Sequence, residues 1–218
     1  MILTDKQILE ANKAGDILID PFDEKQVQPA SYDFRVGEKG ATTSTKKLIN
    51  IRETGFLLLN PGDFAIITVL EKLKLNLQYT GRFGLRSKYT RKGIIATTGP
   101  QIDPGYDGRL ILGLTNLTPK SISLPYKDNL VSVEFHKLEE KSSKPYSGPY
   151  QHKYDLGPED IEIIVESEAM ALSEVLTTLS SVSKNVAQLT NEMKFLKWSI
   201  PIIVGLGITI IGIIVALS

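Results

Sequence analysis

A short polar segment, RSKYTRKG at residues 86–93, concentrates groups that bind phosphate. Its cations surround the hydroxyl of Ser87 and are Arg86, Lys88, Arg91 and Lys92. Guanidinium and ammonium groups, together with a hydroxyl, match the charge and the hydrogen-bonding geometry of phosphate oxygens. A run of charges is more often a solvated surface, so the segment predicts a phosphate site only in combination with other features.

A second segment, QIDPGYDGRLILGL at residues 101–114, places a carboxylate and an aromatic ring on either side of a tight turn. A Pro-Gly pair forms the turn, and Asp103 and Tyr106 bracket it. A carboxylate fixed in this way can act as the base that activates a water molecule. The structural alternative for Asp103 is an Asx-type turn residue. Later in the segment, Gly113 occupies a strand position that usually takes a larger side chain.

The composition of the chain argues against several other kinds of chemistry. The 218 residues include no cysteine and two histidines, which excludes disulfides, thiolate nucleophiles and the H-x-E…P-C-x-x-C pattern of zinc deaminases. A metal site built from several histidines is not expected either. The 25 basic and 25 acidic residues balance, so no nucleic-acid partner is expected. The polar opening MILTDKQILEANKAGD does not resemble a secretory signal.

Short strands are the elements that would position the two segments. A helix over residues 4–15 opens the chain, with Ile8 and Leu9 facing inward. Short apolar runs separated by turn signals follow it, at 17–19, 31–36, 56–59, 64–70, 93–98, 109–114 and 129–135. Many short strands and few helices predict a mainly β domain over residues 1–156, in the form of a sandwich, jelly roll or barrel.

Five blocks of sequence resemble those of the dCTP deaminases in order and spacing. GRFGLRSKYTRKG (81–93) resembles the segment with the family motif R-S-S-L-x-R-x-G, and QIDPGYDG (101–108) resembles I-D-P-G-[WFY]-x-G. The other three blocks are DPFDEKQVQPASYDFRVG (20–37), FLLLNPGDFAIITVLE (56–71) and KPYSGPYQ (144–151). The dUTPases belong to the same superfamily, and their R-S-G and G-x-I-D-x-x-Y segments are similar to the first two blocks.

This resemblance implies a distorted β-barrel or jelly roll like that of the dUTPases, assembled as a homotrimer with sites at subunit interfaces. It implies a deoxypyrimidine triphosphate, dUTP or dCTP, as ligand, with Mg²⁺ carried on the phosphates and not bound directly by the protein. By position, Asp103, Ser87 and Arg91 are the implied catalytic residues. The implied nucleotide-binding residues are Arg86, Ser87, Lys88, Arg91, Asp103, Tyr106, Ile111, Tyr146 and Lys153.

The resemblance also implies a role for individual residues. Arg86 and Ser87 would contact phosphate, with Arg91 near the reacting centre. Asp103 would face the sugar and, in the dUTPase reaction, orient and activate the attacking water. Tyr106 would pack on the deoxyribose, and Tyr146 would close over the phosphates.

The sequence departs from the family pattern at positions that bear on the reaction. Gly113 stands where dCTP deaminases have a Glu that shuttles protons during attack at C4, a contribution typically worth about 10²- to 10⁴-fold. The segment 93–100 is one residue short and lacks the H-x-T-A pattern next to the base. Pro149 replaces a phosphate-binding Lys, and Lys153 lies near the position of a Gln. The loss of the Glu argues against deamination, and the altered segment 93–100 leaves the choice between cytosine and uracil open.

Residues 159–198 change to a helical period. Apolar residues recur in alternating steps of three and four, at Leu172, Val175, Leu179, Val182, Val186, Leu189, Met193, Leu196 and Ile200. This heptad pattern predicts a coiled-coil stalk, and polar residues on both sides of the seam favour self-association. A single amphipathic helix lying on the domain is the alternative. The seam residues do not fix the number of strands.

The segment SIPIIVGLGITIIGIIVALS, residues 199–218, carries no charge and has the length of a transmembrane helix. Trp198 and two nearby lysines, Lys194 and Lys197, precede it, as at a membrane interface. The pattern predicts a single-pass C-terminal membrane anchor with the globular domain in the cytoplasm, and Pro201 in the first turn of the span. A buried core helix is the alternative.

Three functions follow from these observations. The favoured one is a membrane-anchored, trimeric pyrophosphohydrolase of the dUTPase type, which converts dUTP to dUMP and pyrophosphate. The second is a dCTP deaminase in the literal sense. The third is a catalytically inactive nucleotide sensor or scaffold at the membrane. Parallel assays of pyrophosphate and ammonia release would separate the three functions.

Overall fold

A computed structural model describes the backbone of residues 1–166 and 169–217, and the side chains of residues 1–164 and 175–211. The chain divides into two compact units, Met1–Glu174 and Val175–Ser218. Two sequence predictions reach beyond the described side chains. They are the seam residue Leu172 and the end of the predicted membrane span, residues 212–218.

Within the described residues, the strands of the first unit are Ile17–Asp20 (β1), Val27–Gln28 (β2), Ser31–Thr42 (β3), Ile49–Asn50 (β4), Phe56–Leu59 (β5), Phe64–Leu75 (β6), Tyr79–Leu85 (β7), Ile94–Ala96 (β8), Gln101–Ile102 (β9), Asp107–Asn116 (β10), Ile122–Pro125 (β11) and Asn129–Lys137 (β12). The helices are Asp5–Ala14 (α1), Ile51–Thr54 (α2), Ser87–Thr90 (α3), Pro158–Glu166 (α4) and Ala169–Leu217 (α5).

Helix α1 forms where the sequence predicts it. The side chain of Gln7 accepts a hydrogen bond from the backbone N–H of Thr4 at 3.0 Å, which satisfies one of the free donors at the helix start. Gly15 ends the helix in the left-handed conformation, with φ of 79°. Ile8 is fully buried, as expected, whereas Leu9 is only partly buried.

One curled antiparallel sheet forms the body of the first unit. Its strands lie in the order β8-β10-β6-β3-β12-β7-β9, with β1 paired to β6 and with β2 and β4 paired to β3. Strands β5 and β11 form a separate two-stranded sheet. Because β6 is twelve residues long, it pairs with three other strands, β10, β3 and β1.

Irregular registers bend the long strands. The register shifts between Val36 and Gly40 where β3 pairs with β6, and between Arg109 and Ile111 where β10 pairs with β6. At the bend in β3, a Cβ on Gly37 would lie 2.5 Å from the carbonyl oxygen of Thr68. Only glycine therefore allows the two backbones to approach so closely.

The interior of the curl is a single apolar core. Its largest fully buried side chains include Tyr32, Phe34 and Phe135, which come from β3 and β12. Strands β1 and β5 alternate buried and exposed residues, as expected for strands with one face on a core. The prediction of a mainly β, distorted barrel is confirmed.

The segment after β12 crosses back over the sheet. Residues 144–157, called the strap below, have no regular secondary structure and lead into α4. Ile164 of α4 is fully buried and belongs, with Leu156, to a small apolar cluster with Ala41 and Ile66. This cluster holds the end of the strap and α4 against the sheet, because burying apolar side chains is favourable.

Helix α5 carries the second unit. Its part Val175–Ile211 is long and apolar enough to cross a membrane. The sequence predicts Pro201 in the first turn of the membrane span. The helix instead begins at Ala169 and continues through Pro201, so the proline lies inside it. The residues before Pro201 are already helical. Because proline has no backbone N–H, the helix lacks one backbone hydrogen bond at this position.

Candidate functional site

The Asp103 turn joins β9 to β10. The N–H of Tyr106 donates to the carbonyl oxygen of Asp103 at 3.2 Å, and Gly105 takes a φ of 80°. The Nε2 amide of Gln101 donates to Oδ1 of Asp103 at 2.7 Å. Among the described residues, Gln101 is the only side chain that donates to this carboxylate, so the second oxygen is available to a ligand or a water.

Tyr106 forms the wall beside this carboxylate. Its ring is buried, and its hydroxyl donates to the carbonyl oxygen of Arg109 at 2.7 Å. Burial, with smaller contributions from the neighbouring Tyr146 and Asp107, raises the pKa of the Tyr106 hydroxyl, so it stays neutral. The ring of Tyr146 lies 5.7 Å away, tilted by 57°. The hydroxyl is already engaged, so Tyr106 offers a ligand a flat apolar face.

Asp103 and Tyr106 share a cavity of about 100 Å³, called the Asp103 cavity below. Ile111, Leu112, Thr98 and Tyr146 are among its other lining residues. Asp103 is the only carboxylate among the described residues that line this cavity. The structure brings three other predicted site residues together with Asp103 in this cavity: Tyr106, Ile111 and Tyr146.

The backbone of β10 forms one edge of the cavity. Gly113 accepts a hydrogen bond at its carbonyl from the N–H of Thr97 at 2.9 Å, so its peptide groups face the β8 side. Peptide groups alternate along an antiparallel strand, so those of Ile111 face the same side. Strand β8 ends at Ala96, before it reaches Ile111. The donor and acceptor of Ile111 therefore face the gap in the sheet that the cavity occupies.

The position of the missing family Glu is closed. A Cβ on Gly113 would lie 2.4 Å from Oγ1 of Thr97 and 3.0 Å from the ring of Phe64. The N–H of Gly113 donates to Oγ1 of Thr98 at 2.6 Å. A side chain at this position would therefore require Thr97 to move and would press on the ring of Phe64.

The phosphate segment begins at the other end of β7. There the guanidinium of Arg86 pairs with Asp33 of β3 at 2.9 Å. The same fully buried carboxylate accepts from Ser132 at 2.6 Å and from Asn129 at 3.2 Å. Because Asp33 is held by three donors, the orientation of the Arg86 guanidinium is fixed.

Helix α3 presents the other predicted phosphate ligands. Ser87 and Arg91 are exposed, and no described residue pairs with the Arg91 guanidinium. Lys88 instead pairs with Asp128, which also accepts from the hydroxyl of the buried Tyr89. Burial raises the pKa of the Asp128 carboxyl, but the hydrogen bonds from Lys88 and Tyr89 outweigh burial and hold this pKa below its usual range. The charge of Lys88 is thereby largely neutralised.

These two groups of residues lie far apart in one chain. Strand β9 pairs with the start of β7, at Gly81 and Arg82, and Thr80 donates to the carbonyl oxygen of Ile102 at 2.7 Å. Asp103 therefore lies near Thr80, whereas Arg86 follows the last residue of β7. Six residues of strand separate the two positions, which is about 20 Å. Within one chain, the two groups of predicted site residues do not come together, and each is called a half-site below.

The strap lies over the Asp103 turn. The N–H of Tyr146 donates to the carbonyl oxygen of Pro104 at 2.8 Å, and the amide of Gln151 donates to that of Gly105 at 2.9 Å. These bonds explain why the ring of Tyr146 packs on Tyr106 at the mouth of the Asp103 cavity. The sequence resemblance gave Tyr146 a closing role, and its location is compatible with that role.

Lys153 points elsewhere. Its ammonium pairs with Glu159 and with the buried Asp160 of α4, both at 2.8 Å. Burial lowers the pKa of Lys153, but the hydrogen bonds to Asp160 and Glu159 outweigh burial and raise this pKa above its usual value. In this structure Lys153 binds α4, so a nucleotide would have to compete with two carboxylates for it.

Sequence reasoning did not assign a role to several residues of the site. Asp33 stands in the PASYDFRVG part of the first block, yet its bond to Arg86 joins positions 53 residues apart in sequence. Gln101 lies two residues before Asp103, and this spacing indicates that its side chain can reach the carboxylate. Thr97 and Thr98 contact Gly113 across the sheet, and local sequence carries no signal of that contact.

Within the described part of the chain, no group of three or more His, Asp or Glu side chains is close enough to hold a metal ion. Within the described lining of the Asp103 cavity, the carboxylate of Asp103 is the single acidic group that could contact a metal ion. Phosphate oxygens and waters suit Mg²⁺ as ligands, so the ion that the resemblance implies would be held by the nucleotide and not by Asp103.

The curled antiparallel sheet places the chain among the β-barrel proteins. Comparison with known proteins identifies the family within that class. Residues 2–138 match the family described as dCTP deaminase-like. A dCTP deaminase from Thermococcus sibiricus is 40% identical over 151 residues, covering 69% of this chain and 92% of the relative. The chain belongs to the dCTP deaminase-like family.

Two further comparisons are informative. A protein of Methanosphaera stadtmanae named dCTP deaminase, dUMP-forming, is 32% identical over 164 residues, covering 66% of this chain and 83% of the relative. The crystal structure of 2'-deoxycytidine 5'-triphosphate deaminase from Agrobacterium tumefaciens superposes with a TM-score of 0.53 at 22% identity. That superposition covers 62% of this chain and 48% of the other, so it supports the shared fold alone.

Proposed function

We propose that this protein binds deoxypyrimidine triphosphates and hydrolyses dUTP to dUMP and pyrophosphate, as a homotrimer anchored in a membrane. One observation carries the proposal. Asp103 and Tyr106 line one cavity, while position 113 has no carboxylate and is closed by Thr97. The chain retains a candidate base for a water molecule and lacks the proton shuttle that attack on the pyrimidine ring would use.

The Asp103 cavity suits the nucleoside part of the substrate. The exposed peptide donor and acceptor of Ile111 can pair with the edge of a pyrimidine, which presents adjacent acceptor and donor groups. The face of the Tyr106 ring can pack on a deoxyribose and exclude a 2′-hydroxyl sterically. Tyr146, above this ring, would then cover the bound nucleotide.

In the proposed reaction, Asp103 accepts a proton from a water molecule as the water oxygen bonds to the α-phosphorus. The bond between this phosphorus and the oxygen bridging to the β-phosphate breaks, and pyrophosphate leaves. Arg91 and Ser87 would donate to the phosphate oxygens and stabilise their developing charge. Mg²⁺ bound to the triphosphate would neutralise part of the phosphate charge.

A second subunit must complete the site. A base and the group it serves must lie within about 3 Å or one water of each other. Arg86 and Asp103 of one chain are about 20 Å apart along β7. The half-site with Arg86, Ser87 and Arg91 would therefore act together with the Asp103 cavity of a neighbouring subunit, as the family resemblance implies.

The test uses the full chain in detergent or lipid nanodiscs, incubated with dUTP and Mg²⁺. Pyrophosphate and dUMP should appear, and Asp103→Asn should reduce the rate by at least about 100-fold. Asp107→Asn is the matched control, because that carboxylate pairs with Lys74 outside the cavity lining. No turnover of dUTP by the folded wild-type chain would refute the proposal.

Deamination of dCTP is the second candidate, and the names of the relatives favour it. If this chain deaminates dCTP, ammonia will be released despite Gly113. The same preparation, assayed with dCTP for ammonia and by product chromatography, decides between the two reactions. Tight binding of either nucleotide by calorimetry, without any product, would instead identify a catalytically inactive sensor.

We further propose that α5 anchors the chain through residues 199–218, with Lys194 and Lys197 on the cytoplasmic side together with the globular domain. The apolar, exposed side chains from Ile200 to Ile211 support this proposal. The expressed chain should sediment with membranes after alkaline carbonate extraction, and protease added to the cytoplasmic face should remove the β domain. Extraction into the soluble fraction would contradict the anchor.

A further inference from the structure

The stalk part of α5 carries an apolar stripe that the other described residues leave exposed. The stripe, called the α5 seam below, consists of Val175, Leu179, Val182, Val186, Leu189, Met193, Leu196 and Ile200. Each of these side chains is at least half exposed. The steps between them alternate between four and three residues, which is the period at which helices wind around each other with one face always buried.

The residues beside the seam indicate the direction of pairing. With Leu179 and Val186 at a and Val182 and Leu189 at d, the flanking e and g positions between residues 178 and 197 are Thr178, Ser183, Asn185, Thr190, Glu192 and Lys197. Only Glu192, at g, and Lys197, at e, carry charge. In a parallel, in-register coiled coil, each g side chain faces the e side chain five residues further along the neighbouring helix. Glu192 of one copy would then face Lys197 of the next.

We propose that the α5 seam packs in parallel and in register against the same segment of further copies of this chain. A second copy fits as the partner, because in this register each Glu192 meets the opposite charge of Lys197 on the facing helix. In an antiparallel pair, g positions face g positions, and the complementarity of Glu192 with Lys197 is lost. Copies that share one membrane orientation are already parallel, which favours the same arrangement.

The pairing has a consequence for the catalytic site, and this consequence rests on the proposed function. Joined stalks keep the β domains of different copies at a high effective concentration. The half-site of Arg86 in one copy would then meet the Asp103 cavity of another even where the chain is dilute. The stalk would in this way hold together the subunits whose half-sites must meet.

Cysteine cross-linking tests the pairing directly, because the natural chain has no cysteine. Val182→Cys and Leu196→Cys are made separately in the full-length chain and oxidised in membranes with copper phenanthroline. The two d positions are 14 residues, or about 21 Å, apart along the helix. Parallel, in-register seams bring like residues within disulfide distance at both positions, so both variants should form a disulfide-linked homodimer on a non-reducing gel.

Asn191→Cys is the matched control, because position 191 is an f position on the opposite face of the helix. It should give no more than background cross-linking. Cross-linking at only one of the two seam positions would indicate an antiparallel or shifted pair and overturn the proposal. Equal cross-linking at Asn191→Cys, cross-links only to other polypeptides, or no cross-linking at any position would overturn it as well.

A charge exchange tests the register. In the Val182→Cys background, Glu192→Lys and Lys197→Glu each place like charges opposite each other and should weaken association by roughly two- to five-fold. The double exchange, Glu192→Lys with Lys197→Glu, should restore cross-linking to the starting level. Failure of the double exchange to restore it would exclude this pairing.

A final experiment separates this proposal from the proposed function. Leu189→Asn should raise the protein concentration in detergent at which pyrophosphate release per chain reaches half its maximum. If wild-type chain shows no dUTP hydrolysis while cross-linking succeeds, the stalk proposal stands and the proposed reaction fails. If hydrolysis occurs at full specific rate at every dilution of Leu189→Asn, the stalk has no part in assembling the site.

Discussion

At Gly113 the lack of a side chain is built into the surrounding structure. Thr97 and Phe64 lie where a Cβ would extend, and Thr98 accepts the N–H of Gly113. The position is therefore not an open space that a carboxylate could simply fill. A Glu at this position would require Thr97 and Phe64 to rearrange, which is compatible with the proposed hydrolysis.

Gly113→Ala tests how tightly this position is closed. Its Cβ would meet Oγ1 of Thr97 at 2.4 Å, so we expect unfolding free energy to fall by about 1–3 kcal/mol. Thr97→Ala should cost little by itself, since Thr97 is exposed, and should recover most of the loss when it is combined with Gly113→Ala. Denaturant titrations of the four proteins measure these differences. Additive losses in the double variant would show that Thr97 is not the obstacle.

Gly113 also shows which features of the site can be predicted from the sequence and which cannot. The ten-residue spacing from Asp103 identifies Gly113 as the position of the family Glu. What surrounds Gly113 is set by β6 and by the segment after β8, and these contacts depend on strand register. Tyr106 and Ile111 line the same cavity as Asp103 because they share a short stretch of chain with it. Lys153 could not be placed, because its partners come from a helix that the sequence did not resolve from the stalk.

At the scale of elements, a buried ion pair ties β3 to the end of β7. Asp33→Ala would leave Arg86, Ser132 and Asn129 without their acceptor. Because Arg86 is partly exposed, we expect a loss of about 3 kcal/mol in unfolding free energy, near the lower end for broken buried pairs. Asp103→Ala removes a partly buried carboxylate with a single side-chain donor, Gln101, so it should cost clearly less, about 1 kcal/mol. Denaturant titration compares the two, and similar losses would contradict the assigned roles.

Helix α3 is joined to the start of β12 by Asp128, and this contact should depend on pH. Hydrogen bonds from Lys88 and Tyr89 hold the pKa of the Asp128 carboxyl below its value in the unfolded chain, about 3.9. The stabilisation is therefore complete above that value and is lost as pH falls through the lower, folded-state pKa.

Asp128→Asn should consequently lower the melting temperature at neutral pH, and the gap to the wild-type chain should shrink below about pH 4. Near-ultraviolet circular dichroism, recorded between pH 3 and 7, measures both melting temperatures. Asp107→Asn serves as a control with a carboxylate that does not contact α3. A gap that stays constant or widens on acidification would contradict the assignment of this contact.

The elements themselves were largely predictable, whereas their pairing was not. Helix α1 and most strands lie where the apolar runs and turn signals placed them. The neighbours of β6 come from β10, β3 and β1, which are scattered over the chain, and no local pattern specifies that order. Glycines such as Gly37 show their purpose only once the facing carbonyl is known.

At the scale of the whole molecule, the separated half-sites predict complementation between two inactive variants. Arg91→Ala disables one half-site and Asp103→Asn the other, and neither residue is part of the core. In oligomers that mix equal amounts of both chains, one interface in four combines two intact halves. Activity should therefore recover to about a quarter of the wild-type rate.

The two variants are co-expressed as full-length chains, and pyrophosphate release is compared with that of each variant alone. The control is a mixture of the two proteins purified separately and combined without exchange of subunits, which should stay inactive. A co-expressed mixture no more active than its components would show that both half-sites act within one chain.

The length of β7 has a consequence for the life of the protein. Strand β7, Tyr79–Leu85, separates Arg86 from the Asp103 turn within each chain. If the site forms between chains as proposed, a newly made single chain is inactive however well it has folded, and activity should rise more steeply than copy number at low expression. Under the same proposal, an inactive subunit would also inactivate the sites that it shares with active subunits. A mutant gene product could therefore act dominantly over the wild-type protein.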